Sequence, residues 1–200
     1  IPKHVTEICE LSFCECKKLN SVLFSDDSEL ELIDKEAFAR SGIQSILIPS
    51  TVKKINESCF SQCLALDKVE FLGDSQLDSI DKSVFSMTSI QEISIPDNVK
   101  RIESLAFFCC KELLNVVISE NSELIEIGKN SFSHSSINSI FIPIHVHQIR
   151  NGAFFNCENL ETVIFPENSE LEYIGKDAFL RTMICSVCIP KSVKIIGFGC

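Results

Sequence analysis

Hydrophobic positions recur along the chain with a step of 47 residues. The dipeptide Ile-Pro begins at positions 1, 48, 95, 142 and 189. Other apolar residues keep the same step, and one such column is Phe38, Phe85, Phe132 and Phe179. So many columns in phase indicate a repeat array. We therefore expect residues 1–200 to form a single solenoid of 47-residue double repeats.

Each double repeat divides into similar halves of 24 and 23 residues. Each half carries a short, alternating, β-branched segment such as "SILI" or "KVEF", which predicts a strand. Eight such segments occur, from "SVLF" near the start to "SVCI" near the end. Pieces such as "INESCFSQCLAL" have apolar residues at near-helical spacing and are too short for a stable free helix, so we predict helical turns there. The order of strand, loop and helical turn, repeated about eight times, predicts an α/β solenoid.

The quoted segments carry a resemblance to a known family. "IPSTVKKINESCFSQCLALDKVEF" and "SELELIDKEAFARSGIQSILIP" resemble the alternating halves of BspA-like leucine-rich repeats, including double-length versions from parasitic protists. The resemblance covers essentially the whole chain. It implies a right-handed, curved solenoid with parallel strands on the concave face and short helical turns on the convex face. It also implies a surface or secreted protein with roles in adhesion, as a surface antigen or in host–parasite contact.

Composition narrows the classes of partner. The formal net charge is −10, which disfavours nucleic acid and an anionic membrane surface, because both attract lysine and arginine. No run approaches the roughly 20 apolar residues of a membrane span. No signal peptide is visible, although the chain begins at Ile1 and we expect it to be a piece of a longer array.

Cysteines fall on a column of the repeat. Members on alternate coils are about two strand spacings apart, roughly 9–10 Å, which is too far for disulfides within the column or for one zinc ion. Serine or threonine takes the same place on the intervening coils. We therefore predict a structural column of small side chains at a corner before each strand. Its members are Cys16, Ser41, Cys63, Thr88, Cys110, Ser135, Cys157 and Thr182.

The expected binding surface is the concave sheet. In each strand the residue between two inward-facing residues points outward, and apolar outward neighbours occur toward both ends of the sheet. A sheet that is merely rich in β-formers is the plainer interpretation. The outward row, here called the central row, is Leu23, Leu47, Glu70, Ser94, Val117, Phe141, Ile164 and Cys188.

Other candidate chemistry is weak. His145 and His147 occupy variable loop positions with no carboxylate placed nearby in the sequence, so we expect no metal site. "CSVC" at 185–188 has redox-like spacing, but the register puts Cys188 on a strand. Acidic loops of the type "DSEL" and "NSEL" predict a solvated edge, with weak cation binding or a basic partner as the alternative. A single glycosylation sequon, Asn56–Ser58, lies in an expected exposed turn.

No catalytic motif is present, and a repeat produces rows of like groups, whereas catalysis needs unlike groups that converge on one pocket. We therefore expect a non-enzymatic module without cofactors. Its first expected function is to bind a protein or glycan through the concave sheet. Self-assembly through uncapped ends or the apolar row is the alternative.

Overall fold

The computed structural model describes all residues 1–200 as a stack of parallel coils without any helix. Fifteen strands form two series that run along two faces. The long-strand series comprises β3 (Ser45–Ile48), β5 (Lys68–Phe71), β7 (Glu92–Ser94), β9 (Asn115–Val117), β11 (Ser139–Phe141) and β13 (Thr162–Ile164). The short-strand series comprises β1 (Glu7–Ile8), β2 (Leu32–Ile33), β4 (Lys54–Ile55), β6 (Ser79–Ile80), β8 (Arg101–Ile102), β10 (Glu126–Ile127), β12 (Gln148–Ile149), β14 (Tyr173–Ile174) and β15 (Ile195–Ile196).

The predicted helical turns are wrong, and with them the α/β class. The fold is a parallel β-solenoid of about eight coils. Residues two before and two after each column phenylalanine have positive φ, as in Ser58 (φ 60°) and Gln62 (φ 59°) around Phe60. Left-handed residues at this spacing prevent a continuous right-handed helix. These turns bury Ile55, Cys59, Phe60, Cys63 and Leu66, which is the near-helical spacing seen in the sequence.

Hydrogen bonds in these turns join neighbouring coils. The amides of Ser58, Phe60 and Gln62 donate to carbonyls of the next coil at 2.8–2.9 Å. The amides between them, such as that of Ser61, donate to the carbonyl three residues earlier. Alternate amides of this segment therefore bond between coils, as in a sheet, and the amides between them bond within the turn.

The column phenylalanines form a continuous stack through the core. Consecutive rings are 5.1–5.6 Å apart between centroids and nearly parallel from Phe13 to Phe179. Six of the eight rings are fully buried. One coil cannot bury such a ring alone, so the stack couples each coil to its neighbours.

Pairing in the long-strand series alternates with coil length. Strands that start 23 residues apart pair fully, through four pairs for β3–β5 and three each for β7–β9 and β11–β13. Steps of 24 residues pair sparsely. Ser21 and Ser45 form one isolated bridge, Lys68 and Glu92 form the only pair between β5 and β7, and β9 and β11 lie in separate sheets.

Two predicted strands are not strands in the structure. "SVLF" contributes only the bridge at Ser21, and "SVCI" contains no strand, so the placement of Cys188 on a strand is wrong. Both segments face a neighbour across a 24-residue step, where pairing is sparse throughout the solenoid. The other six predicted strands are present.

One buried hydroxyl has no hydrogen-bond partner. Ser131 is fully buried, and its Oγ is unpaired, in a column where Ala37, Ala106 and Ala153 fill the same place. We expect Ser131→Ala to raise the free energy of unfolding by about 1–3 kcal/mol, because it removes an unsatisfied buried polar group. Urea unfolding checks this.

The control for Ser131 is Ser133→Ala. The hydroxyl of Ser133 donates to the Phe155 carbonyl at 3.0 Å, so its removal should lower stability. Equal effects of the two substitutions would contradict the assignment.

Candidate functional site: the long-strand face

The long-strand face presents the central row to solvent. In β3, Ile46 and Ile48 are buried while Leu47 between them is 45% exposed. Leu23, Val117 and Ile164 are 77%, 48% and 50% exposed. The row's other members are also exposed except for one: Glu70, Ser94 and Cys188 lie at the surface and Phe141 is half-buried.

Polar side chains occupy the positions that flank the central row. Lys68 Nζ lies 2.7 Å from a carboxylate oxygen of Glu70, and Asn115 Nδ2 donates to Glu92 at 3.3 Å. Ser45 and Ser139 are small and exposed. The apolar members of the row therefore remain accessible between short neighbours.

Two grooves open on this face at the 24-residue steps. The first groove, about 590 Å³, lies between residues 21–24 and β3. The middle groove, about 710 Å³, lies between β5 and β7. Leu72, which is 44% exposed, lines both grooves. Both grooves therefore lie where the pairing between neighbouring strands is sparse.

Acidic loops border the long-strand face. In each loop a buried serine oxygen accepts the amide hydrogen two residues on, as Ser75 Oγ does from Leu77 at 3.3 Å. This turn is why "DSEL"-type loops keep one shape. The charged residues around it project outward: Asp27 pairs with Lys3 at 2.8 Å, whereas Asp26 and Asp74 have no ion pair.

The histidines of "HVHQ" have an acidic neighbour that their sequence positions do not reveal. His145 Nδ1 is 3.1 Å from a carboxylate oxygen of Glu170 on the next coil, and His147 Nδ1 is 4.0 Å from the same oxygen. The expectation of no nearby carboxylate is therefore wrong. No group of three or more potential metal ligands is present.

The cysteine column lies at the corner before the long strands. Cys63 is fully buried, and its thiol donates to the Phe38 carbonyl of the preceding coil at 3.0 Å, while Ser41 Oγ lies 3.5 Å from the sulfur. Cys110 and Cys157 repeat this arrangement. The remaining hydroxyls are Thr88 and Ser135, both buried, and Thr182, which is half-buried; Cys16 is exposed.

None of the 11 cysteines is in a disulfide. Some are buried, such as Cys110 and Cys157, and others are exposed, such as Cys185 and Cys188. Burial raises the pKa of Cys110 and of Cys157 to about 11. Iodoacetamide at about pH 8 should modify exposed Cys185 and Cys188 quickly and spare Cys110 and Cys157 until unfolding, because the thiolate is the nucleophile. Peptide mass spectrometry with and without denaturant checks this. Modification of the buried pair at the exposed pair's rate would contradict the burial.

The sequon is less open than the sequence suggests. Asn56 is half-buried, and its amide Nδ2 donates to the Asp34 carboxylate on the preceding coil. A glycan on this nitrogen would replace one of its two hydrogens and would have to fit beside that contact. Asn56 therefore acts as a contact between coils in this fold.

Sequence reasoning did not single out Leu72 as a surface residue. Proline occupies the equivalent place in "IPS" and "IPD", at Pro49 and Pro96. An apolar residue at a loop position where neighbouring coils have proline was the available signal. The grooves themselves follow from the 24-residue step, whose effect on pairing is visible only in the structure.

Parallel coils with a phenylalanine stack and a strand-lined face define the class of leucine-rich repeat solenoids. The family model described as "BspA type Leucine rich repeat region (6 copies)" matches residues 1–113 and 78–200. The chain therefore belongs to the BspA-type leucine-rich repeat family. No curated protein matches the chain in sequence.

Two solved structures share the fold. The pneumococcal vaccine antigen PcpA aligns with a TM-score of 0.70 at 22% identity, over 97% of this chain and 51% of that one. A leucine-rich repeat protein from Bacteroides ovatus aligns with a TM-score of 0.65 at 22% identity, over 97% of this chain and 61% of that one. The chain thus spans about half to three-fifths of the length of these proteins.

The chain has no helix with the length and apolar character needed to cross a membrane.

Proposed function

We propose that the chain is a non-enzymatic interaction module that binds a protein partner through the long-strand face. The observation that carries this is the row of outward aliphatic side chains, including Leu47, Val117 and Ile164, on strands whose neighbouring residues are buried. Exposed apolar surface with polar neighbours is typical of interaction sites. Their burial by a partner supplies the binding energy.

A protein partner fits this face better than a glycan. The chain has no tryptophan and one tyrosine, and the exposed apolar members of the central row are aliphatic: Leu23, Leu47, Val117 and Ile164. Aliphatic groups gain mainly from apolar contact, whereas a sugar needs many polar partners, each of which must be satisfied. A glycan remains the other outcome of the binding experiment below.

The proposed location is the cell surface or the secreted fraction, as an adhesion or antigen-like module in host contact. Support comes from the family membership and from the structural likeness to PcpA, which is described as a vaccine antigen. At 22% identity that likeness establishes the fold alone, so the location stands as a proposal.

A non-enzymatic role is supported by how the chemistry is distributed. The buried thiols form a periodic column that bonds to backbone carbonyls. Neither groove of the long-strand face contains a histidine or a cysteine. The polar groups of the long-strand face lie in rows along the solenoid.

The test is partner capture from intact cell surfaces with a matched pair of variants. Leu47→Asp with Ile164→Asp places charge on two exposed residues of the face, and we expect it to abolish specific capture without unfolding the chain. Leu64→Asp is the control, because Leu64 is 72% exposed and outside the central row. Capture that survives the double substitution would refute the proposal. Phe141 is unsuitable for this test because it is half-buried.

Self-assembly is the second candidate, and the same surface supports it. The exposed aliphatic members of the central row, such as Leu23 and Leu47 at 77% and 45%, would be buried against the same row of a second copy. Light scattering over a range of concentrations should show oligomers that Leu47→Asp with Ile164→Asp disrupts. A monomer at every concentration would rule this candidate out.

A further inference from the structure

Strand pairing on the long-strand face weakens at every 24-residue step. At the starts of the strands, the amide-to-carbonyl bonds across 24-residue steps measure 3.0, 3.3 and 3.4 Å (from Gln44, Gln91 and Asn138). The corresponding bonds across 23-residue steps measure 3.0, 2.9 and 2.9 Å. Two of the three hydrogen bonds across 24-residue steps are thus longer, and at most one residue pair follows each of them. These sparsely paired steps, here called openings, recur every second coil.

The chemistry at successive openings alternates. At the first groove the central-row residues Leu23 and Leu47 are apolar, and Asp26 and Asp27 lie at its border. The middle groove contains three carboxylates against one ammonium group, from Asp67, Glu70, Glu92 and Lys68. At the third 24-residue step, between β9 and β11, which lie in separate sheets, the central-row residues are again apolar, Val117 and Phe141. The central-row residues are therefore apolar at the first step, polar and acidic at the second (Ser94 and Glu70) and apolar at the third.

The spacing of these openings selects one peptide conformation. Two strand spacings amount to about 9.6 Å. A polyproline II helix advances about 9.3 Å per turn of three residues, so its residues i, i+3 and i+6 point the same way. In a β-strand, by contrast, residues three apart point to opposite sides. A polyproline II peptide lying across the strands thus places every third side chain at successive openings.

We propose that the long-strand face binds an extended polyproline II segment with an apolar, a basic and an apolar side chain at three-residue intervals. The basic residue lies in the middle groove near Glu70 and Glu92, and the apolar residues contact Leu47 on one side and Val117 on the other. The overall charge of −10 and the unpaired Asp26 and Asp74 beside the face favour the same basic segment. This inference rests on the proposed function and specifies its ligand.

The experiment uses synthetic peptides and NMR titration of the isotope-labelled chain. The matching peptide has leucine at its first and seventh positions, lysine at the fourth and proline at the others. A permuted peptide of the same composition has its leucines adjacent at the start. We expect the matching peptide to bind at least about tenfold more tightly, with shifts centred on residues of the long-strand face. Equal affinity for the two peptides, or no saturable shifts, would overturn the proposal.

A charge exchange tests the middle groove. Glu92→Lys should weaken binding of the lysine peptide by about tenfold and strengthen binding of the same peptide with glutamate at its fourth position. The control is Glu112→Lys, an equal change of charge at an exposed residue that lines neither groove. Gain of binding by the glutamate peptide also shows that the variant is folded. If both charge reversals act alike, the groove is not the site.

The two proposals can fail separately. If partner capture depends on Leu47 and Ile164 but the peptides do not differ, the interaction module stands and the polyproline II ligand is wrong. If capture does not depend on those residues, the long-strand face is not the partner site, whatever the peptides do.

Discussion

Replacing Phe60 by alanine should lower the free energy of unfolding by about 3–5 kcal/mol. Phe60 is fully buried, and its ring stacks on Phe38 at 5.3 Å and on Phe85 at 5.6 Å between centroids. The substitution removes apolar burial, leaves a cavity and breaks both stacks. Because the stack links neighbouring coils, urea unfolding should also lose cooperativity.

Two controls separate the stack from burial in general. Cys63→Ser keeps a donor for the Phe38 carbonyl and copies the hydroxyls of alternate coils, so its effect should be far milder. Phe179→Ala removes a half-buried ring that stacks on Phe154 alone and should cost less than Phe60→Ala. Equal losses of unfolding free energy for Phe60→Ala and Cys63→Ser would show that the phenylalanine stack is not the main source of stability.

The phenylalanine column illustrates what sequence can predict in a repeat protein. A residue that recurs at one register position, such as Phe38 and Phe85, must meet its copies when the coils stack. The period therefore gives the solenoid, most long strands and the outward direction of Leu47 without any coordinates. Family membership follows from the same columns.

The turns could not be predicted from periodicity. Apolar residues at near-helical spacing fit a helix, and they also fit turns in which Ser58 and Gln62 adopt positive φ. Later coils carry a clearer signal at these places, Asn130 and Gly152, since asparagine and glycine tolerate that conformation. On earlier coils the same positions hold glutamate, arginine or leucine, and these residue types do not indicate a positive φ.

The grooves also escaped prediction, for a different reason. A one-residue difference between half-repeats is visible in the sequence, but its effect depends on where the chain absorbs the extra residue. The structure shows that pairing is lost, so that Lys68 and Glu92 pair while the residues after them do not. Chemistry at the site is therefore set jointly by the central row and by coil length.

Replacing Gly128 by alanine should be strongly destabilising although it adds only a single methyl group. Gly128 follows β10, and a Cβ there would lie 2.5 Å from the Ile102 carbonyl oxygen and 2.6 Å from the Glu103 carbonyl carbon. Both are backbone atoms of the preceding coil, so no side chain can rotate to relieve the contact. The coils must therefore separate locally. The hydrogen bond from the Gly128 amide to the Ile102 carbonyl, 2.7 Å long, should lengthen.

We expect Gly128→Ala to lower the free energy of unfolding by about 1–3 kcal/mol or more, a typical cost of overpacking. The matched control is Glu103→Ala at the same register position of the preceding coil, where a Cβ is already present and only an exposed ion pair with Arg101 is lost. That pair is worth about 0–1 kcal/mol. Urea unfolding with amide hydrogen exchange should show faster exchange around Gly128 in the first variant alone. Wild-type stability in Gly128→Ala would mean that neighbouring coils can move apart freely here. The coupling between coils would then have to reside in the phenylalanine stack rather than in the backbone contacts beside it.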